Sequence, residues 1–386
     1  MSGKYKNIPF GIGCFHFRYN GQSSTTLTSQ QYLNDLQQTL QSSSSITNIV
    51  LENDPTEIFT NIEIDKNEVI PSIRERGGPV PGFMADSLQF DIFIPLRFQE
   101  QVAKNAVFVQ ANKAEKFRVT IRSAFHMAVT FVEPLGVDLY MSGSDTIIIV
   151  REFLSKELGA AKNPKYSFEF IGPSPFHVDC ELLGSHNTLH DEVNEPSFDC
   201  ERIIGSYDRL QFRYNIAAFD TIEQAKDALF EKLSQELDLF YYIVQNESAK
   251  LLDWVKISNQ VQEVIRLYRR KGPLGWLIRV WSASRRIDET FVALAQFEAE
   301  SISASGDIQS AYRTYQEVSA TKFFHVNIER QVIEQQKFPV QQMSSIITMF
   351  ESRRLKSSEI LAVVFGALLG FFGGVAGAIV TRLLTP

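Results

Sequence analysis

Cysteine is scarce, with three in 386 residues. That density excludes a disulfide scaffold and fits a reducing compartment. Basic residues are outnumbered, 38 Lys and Arg against 45 Asp and Glu, for a net charge of -7. A surface that neutralises phosphates needs the opposite balance, so general nucleic-acid binding is excluded. The familiar catalytic signatures are missing: there is no phosphate-loop lysine motif, no HExxH and no GxSxG. Gly11-x-Gly13 lacks a third glycine and lies inside a strand pattern, so the dinucleotide fingerprint fails. Residues 1–10 carry no apolar h-region, so neither a secretory signal nor a processed lipid anchor is expected.

Apolar residues make up 44% of the chain, enough for two or three cores, but they are unevenly placed. Residues 360–380, ILAVVFGALLGFFGGVAGAIV, run for 21 positions without a charge or a strongly polar group. A helix of that length spans roughly 30 Å, the thickness of a hydrocarbon core. Arg353, Arg354 and Lys356 precede it and only Arg382 follows. The positive side stays cytoplasmic, so the expectation is a single-pass tail anchor with the N-terminal bulk cytoplasmic and the C-terminus on the opposite side. Ala362, Gly366, Gly370, Gly374 and Ala378 recur every fourth residue, with Gly373 and Gly377 in a parallel row. Small residues at this spacing let backbones approach closely in lipid, which predicts a glycine-zipper homo-oligomer.

Residues 220–271 contain neither proline nor glycine. Asp220 or Thr221 can cap the start and Gly272-Pro273 stops the run, which predicts one helix of about 50 residues, roughly 75 Å long. From Leu237 the heptad positions are Leu237, Phe240, Val244, Glu247, Leu251, Trp254, Ser258, Val261, Ile265 and Tyr268, mostly apolar, as in a coiled coil. A second helix over 276–302, a break at 301–306 and a third helix over 307–337 follow; from Val340 nothing stops a helix before the apolar run. If the third helix descends to a bilayer, the first descends beside it, and the tip between helices one and two meets the surface. That tip is basic: Arg266, Arg269, Arg270, Lys271, Arg279, Arg285 and Arg286 lie between Glu263 and Asp288 with no acid among them, and Trp276 and Trp281 sit between them. Each basic residue near an anionic leaflet contributes about 1 kcal/mol, and tryptophan favours the interface.

Residues 1–218 read differently, with alternating Phe, Ile and Val between turn residues. Strands are expected at 9–19, 46–51, 88–98, 117–132, 166–171, 176–183, 201–206 and 210–214, helices at 29–42 and 146–158, and a long loop at 52–86. The stretch 9–51 reads as a βαβ unit or a strand–helix–strand excursion. Gly21, Ser23, Ser24, Thr25 and Thr26 link a strand to a helix N-terminus, where backbone N–H groups and hydroxyls can hold a small anionic or nucleotide ligand. His177, Cys180, His186, His190 and Cys200 gather the soft sulfur and imidazole that zinc prefers, at spacings that match no zinc pattern. His190, Asp191 and Glu192 offer acid–base groups. No cofactor is identified.

The expected architecture is an α+β N-terminal domain (1–218), an all-α antiparallel long-helix stalk (219–357) and one C-terminal transmembrane helix (358–386). This order is similar in outline to CorA-type divalent-cation channels. The two spans and the Gly-Met-Asn signature of those channels are absent, so no transport is implied. The reading is a non-enzymatic protein whose partners are the lipid bilayer, copies of itself and a sensed ligand or protein. A sensor-triggered membrane-disrupting effector, as in bacterial self-killing immunity, fits the same features. Two alternatives stand: a membrane-tethered hydrolase or nucleotide-processing enzyme with its site in 1–218, and a passive membrane scaffold.

Overall fold

The structure, a computed structural model, describes residues 7–19, 29–52, 87–105, 114–123, 127–136, 142–159, 165–171, 178–185, 198–205, 208–269, 272–318, 322–355, 363 and 366–367. An N-terminal sheet-rich α+β region is followed by long helices. Two compact units emerge: residues 1–249 with 306–335, and residues 250–305 with 336–386.

In the first unit the elements run β1 (Ile8–Tyr19), α1 (Ser29–Gln41), β2 (Ile46–Glu52), β3 (Ser87–Phe93), α2 (Leu96–Asn105), β4 (Lys116–Ser123), β5 (Ala128–Leu135), α3 (Gly143–Gly159), β6 (Tyr166–Ile171), β7 (Val178–Ser185), β8 (Phe198–Ile203) and β9 (Asp208–Asn215). Among the described residues these strands make one nine-stranded sheet, ordered β2-β3-β4-β5-β1-β7-β9-β8, with β6 also paired to β1. Every pairing is antiparallel except β7 with β9. Three strands separate β1 from β2, and the four antiparallel pairings across them leave β1 and β2 parallel, so residues 9–51 form a βαβ crossover split by β3, β4 and β5. The strand expected at 88–98 is shorter: Pro95 cannot donate to a ladder, and the chain turns there into α2.

Strand alternation gives the sheet two apolar faces. Phe15 and Phe17 point into the core shared with Leu33, Leu36 and Leu40 of α1 and Ile147, Val150 and Leu154 of α3. Phe10, Ile12 and Cys14 point into a second core built with long helices. The helix α3 starts directly on β1: a Cβ on Gly11 would lie 2.1 Å from the Gly143 carbonyl oxygen, and one on Gly143 would lie 2.0 Å from that of Phe10. Gly11 and Gly143 therefore serve a backbone-on-backbone crossing, which explains the strand glycine without any nucleotide.

The helix α4 (Ile222–Arg269) opens with a capping box. Thr221 Oγ1 accepts the Gln224 N–H at 3.2 Å, and Gln224 Oε1 accepts the Asp220 and Thr221 N–H groups. Its first half is buried almost all round, through Leu229, Phe230, Leu233, Leu237, Phe240 and Tyr241, with the Phe230 ring stacked 4.1 Å from that of Phe131. This half is a core helix of the first unit. Gly272, at φ +88°, ends the run as expected and admits α5 (Gly272–Val318).

The break expected at 301–306 is absent, because α5 runs through it unbroken. Gly306 costs about 1 kcal/mol in a helix relative to alanine. Burial of Leu294, Phe297, Ile308 and Tyr315 on either side outweighs that cost. The third helix expected over 307–337 is thus the end of α5 followed by the short α6 (His325–Ile333). A further helical stretch, 340–355, is α7 here.

The second unit packs α4 and α5 antiparallel, with α7 alongside, around Ile257, Val261, Ile287, Leu294, Phe297, Ile347 and Phe350. Heptad position Leu251 is not in this seam; it is 45% exposed. Among the described residues no helix is long and apolar enough to cross a membrane. The run at 360–380 lies outside those residues except for Val363, Gly366 and Ala367, which are helical.

Candidate functional site

Several of the expected site residues, Gly21, Ser23, Ser24, Thr25, Thr26, His177, His186 and His190, lie outside the described residues, as do Asp191 and Glu192. Cys180 is a buried core thiol on β7, raised well above the usual range first by burial. Cys200 lies on β8 with part of its residue surface exposed, and desolvation of the thiol together with the nearby Glu236 pushes it up to about 12. Among the described residues no group of three or more His, Cys, Asp and Glu side chains could hold a metal ion.

The residues expected to meet a membrane surface are partly described. Arg269 closes α4, Trp276, Arg279 and Trp281 lie on the first turns of α5, and Arg270 and Lys271 are outside the described residues. Arg285 pairs with Glu289 at 2.7 Å, and Arg286 pairs with Glu263 across the hairpin. Arg266 and Arg269 have no ion-pair partner among the described residues. Of the small residues expected to form an oligomerisation stripe only Gly366 is described; Ala362, Gly370, Gly373, Gly374, Gly377 and Ala378 are not.

What sequence reasoning missed is how the end of this hairpin is tied. The Trp254, Phe297 and Phe338 rings meet pairwise at 5.2–5.5 Å and set one level of the bundle. Four turns along α4, the Tyr268 ring lies 4.7 Å from Phe350, and its hydroxyl donates to the Phe350 carbonyl at 3.0 Å. Arg354, one turn further, donates to the Ser284 hydroxyl of α5. Residues 350–355 thus run beside the α4–α5 tip, parallel to α4. The spacing of Tyr268 and Phe350 from their own chain neighbours carries no signal for this, because the pairing spans 82 residues.

The first unit holds the strongest buried electrostatics. Glu236 of α4 is fully buried and accepts from the Tyr315 hydroxyl (2.8 Å), the Phe323 N–H (2.9 Å) and the Phe324 N–H (2.6 Å). It ties the end of α5 and the start of α6 to α4. Burial still lifts its carboxyl above the ordinary range. Asp179 of β7 caps α3, accepting from the Ser144 N–H at 2.9 Å and the Ser142 hydroxyl at 2.8 Å. Glu133 and Lys226 form a buried pair at 2.7 Å. His16, buried beside Cys14 Sγ at 3.0 Å, is lowered by desolvation to about 4 and stays neutral near pH 7. Glu236, Asp179 and the Glu133–Lys226 pair each hold separate elements together, whereas Cys14 and His16 share β1 as a buried thiol beside a neutral imidazole.

No protein-family model, no curated protein and no solved structure matches the chain.

Proposed function

We propose that this is a non-enzymatic, single-pass, tail-anchored membrane protein in which a sensing α+β domain is coupled through a helical stalk to self-association of the glycine-striped segment. The reading takes its sensing half from residues 1–249 with 306–335 and its stalk from the long helices of the second unit. The observation that carries it is the Tyr268–Phe350 contact. It sets the hairpin tip beside residues 350–355, just before the apolar run. A helix continued from Phe350 reaches Ile360 after about 15 Å. The tip occupies part of that height and comes within reach of an interfacial layer about 5–8 Å deep. Arg266 and Arg269, without an ion-pair partner among the described residues, are then available to anionic headgroups.

Self-association has support in the second unit as well. Leu251, Val255, Phe291 and Met349 are each more than 40% exposed there. Apolar side chains on all three helices suit packing against further copies.

Alkaline carbonate extraction of membranes tests the anchor, and the mass of the detergent-solubilised particle tests the assembly. The full chain should stay with the lipid and form a particle of several copies. Removal of the last 28 residues should release it and reduce it to monomer. Full-length, uncleaved chain in the aqueous fraction overturns the reading.

A further inference from the structure

A cavity of about 260 Å³ lies in the first unit at the end of the sheet. Its floor is Val178 of β7, Leu210 of β9, and Cys200 and Arg202 of β8. Cys200 and Arg202 share a face because they are two residues apart, and the register sets them opposite Phe212 and Leu210. The roof is Lys322, Phe323 and Phe324 from the link between α5 and α6, with Asn327 from the first turn of α6. Phe323 is held by an edge-on contact with Phe212 at 5.2 Å.

The polar groups of this wall are mostly donors. The Arg202 guanidinium spends Nε and one terminal nitrogen on Asp208, at 2.8 and 2.6 Å, which leaves the other terminal nitrogen and steadies the fork. Lys322 gives one proton to the Gln316 carbonyl at 3.1 Å and keeps two. The Asn327 side chain has no hydrogen-bond partner among the described residues. The Cys200 thiol stays protonated. Two carboxylates lie close to this wall: Asp208, which pairs with Arg202, and Glu236, which already receives hydrogen bonds from Tyr315, Phe323 and Phe324. Valine, leucine and phenylalanine side chains supply the remaining surface.

We propose that this cavity binds a small organic anion, a carboxylate or phosphate monoester carried on a compact apolar or aromatic body. The charged head takes charge-assisted hydrogen bonds from Arg202, Lys322 and Asn327. The body covers Val178, Leu210 and Phe323. The volume suits a single ring and excludes a dinucleotide, since ligand sites usually start near 300 Å³. The inference deepens the sensing half of the reading above and rests on it only for the site's role. Its position fits that role, because Lys322 and Phe323 lie in the segment between α5 and α6, and the other end of α5 lies in the second unit.

Calorimetric titration of the full chain in detergent tests it, with phenyl phosphate, benzoate, inorganic phosphate and benzylamine as probes. Phenyl phosphate or benzoate should bind saturably at one site per chain, and benzylamine should not. Inorganic phosphate should bind at least about tenfold more weakly than phenyl phosphate, since it leaves the floor uncovered. Lys322→Met and Arg202→Met should each weaken binding about tenfold. Leu210→Trp, which fills the floor, should abolish it, while Arg213→Met on the opposite face of β9 should leave it unchanged. Thermal melts establish that each variant is folded; should Arg202→Met lose its fold with the Asp208 pair, Lys322→Met decides. The proposal is overturned if neither organic anion binds, if benzylamine or inorganic phosphate binds as well as phenyl phosphate, or if Lys322→Met binds like the parent chain. Carbonate extraction scores the membrane reading separately, so either can fail while the other stands.

Discussion

The Tyr315 hydroxyl donates to the Glu236 carboxylate across 2.8 Å, joining the end of α5 to the middle of α4 inside the first unit. The same carboxylate receives the Phe323 and Phe324 N–H groups, so one buried side chain holds the chain where it turns into α6. Glu236→Ala leaves three donors without an acceptor and should cost about 3 kcal/mol. Glu236→Gln keeps one acceptor oxygen and should cost about half of that. Denaturation midpoints measure both.

The pH dependence of that contribution has a definite sign. Burial raises the folded-state pKa of Glu236 above the ordinary value of 4.5 despite its three hydrogen bonds. The native state then holds the proton more tightly than the unfolded state. The group's contribution is fully present below about 4.5 and is lost as pH rises through the folded value. The stability advantage of the parent chain over Glu236→Gln should therefore grow between pH 7 and pH 5. An advantage that shrinks over that interval would show that the hydrogen bonds outweigh burial.

Glu133 and Lys226 are a buried pair at 2.7 Å, with side chains 6% and 5% exposed. Lys226→Met strands the Glu133 charge and should destabilise by about 3–5 kcal/mol. Adding Glu133→Leu should recover most of the loss, because replacing both charges removes the desolvation cost together with the attraction. A double-mutant cycle reads the coupling directly. Equal losses in the single and double variants would sink this account.

Gly306 sits in the continuous part of α5 with open space where a Cβ would go. Gly306→Ala should stabilise the chain by about 0.5–1 kcal/mol. The interrupted helix suggested by Ser301, Ser303, Ser305 and Gly306 predicts no gain. By contrast, Gly11→Ala forces a Cβ to 2.1 Å from the Gly143 carbonyl and should destabilise by about 3 kcal/mol or more. Thermal melts of the two alanine variants should shift in opposite directions.

Replacing Gly366, Gly370 and Gly374 together by leucine keeps the apolar length and fills the stripe. The triple variant should remain in the membrane pellet and yield a smaller particle in detergent. An unchanged particle mass would leave the segment as a plain anchor and favour the passive scaffold.

Much of the secondary structure was legible in the sequence because it is written in local patterns. Period-two alternation gave β1 and β9 but merged β4 and β5 into one strand over 117–132, and the absence of proline and glycine over 220–271, closed by Gly272-Pro273, gave α4 almost to the residue. The candidate sites were less legible. Loop composition drew attention to residues 21–26 and 177–200, most of which the structure does not describe. The cavity beneath Lys322 and Asn327 draws on β7, β8, β9 and the α5–α6 link, segments that are far apart in the chain.

The sequence alone determined where helices can run, where strands alternate, and that residues 360–380 are an uninterrupted apolar stretch with small residues in register. These follow from nearest neighbours and from composition. Only the tertiary structure decided that half of α4 is a core element, that α5 passes unbroken through a serine-rich stretch, and that Phe350 docks against Tyr268. Those outcomes depend on which apolar faces find each other. A helix with one side packed tolerates glycine and serine that its local propensity alone would reject, because burial is summed over the whole unit and propensity is not.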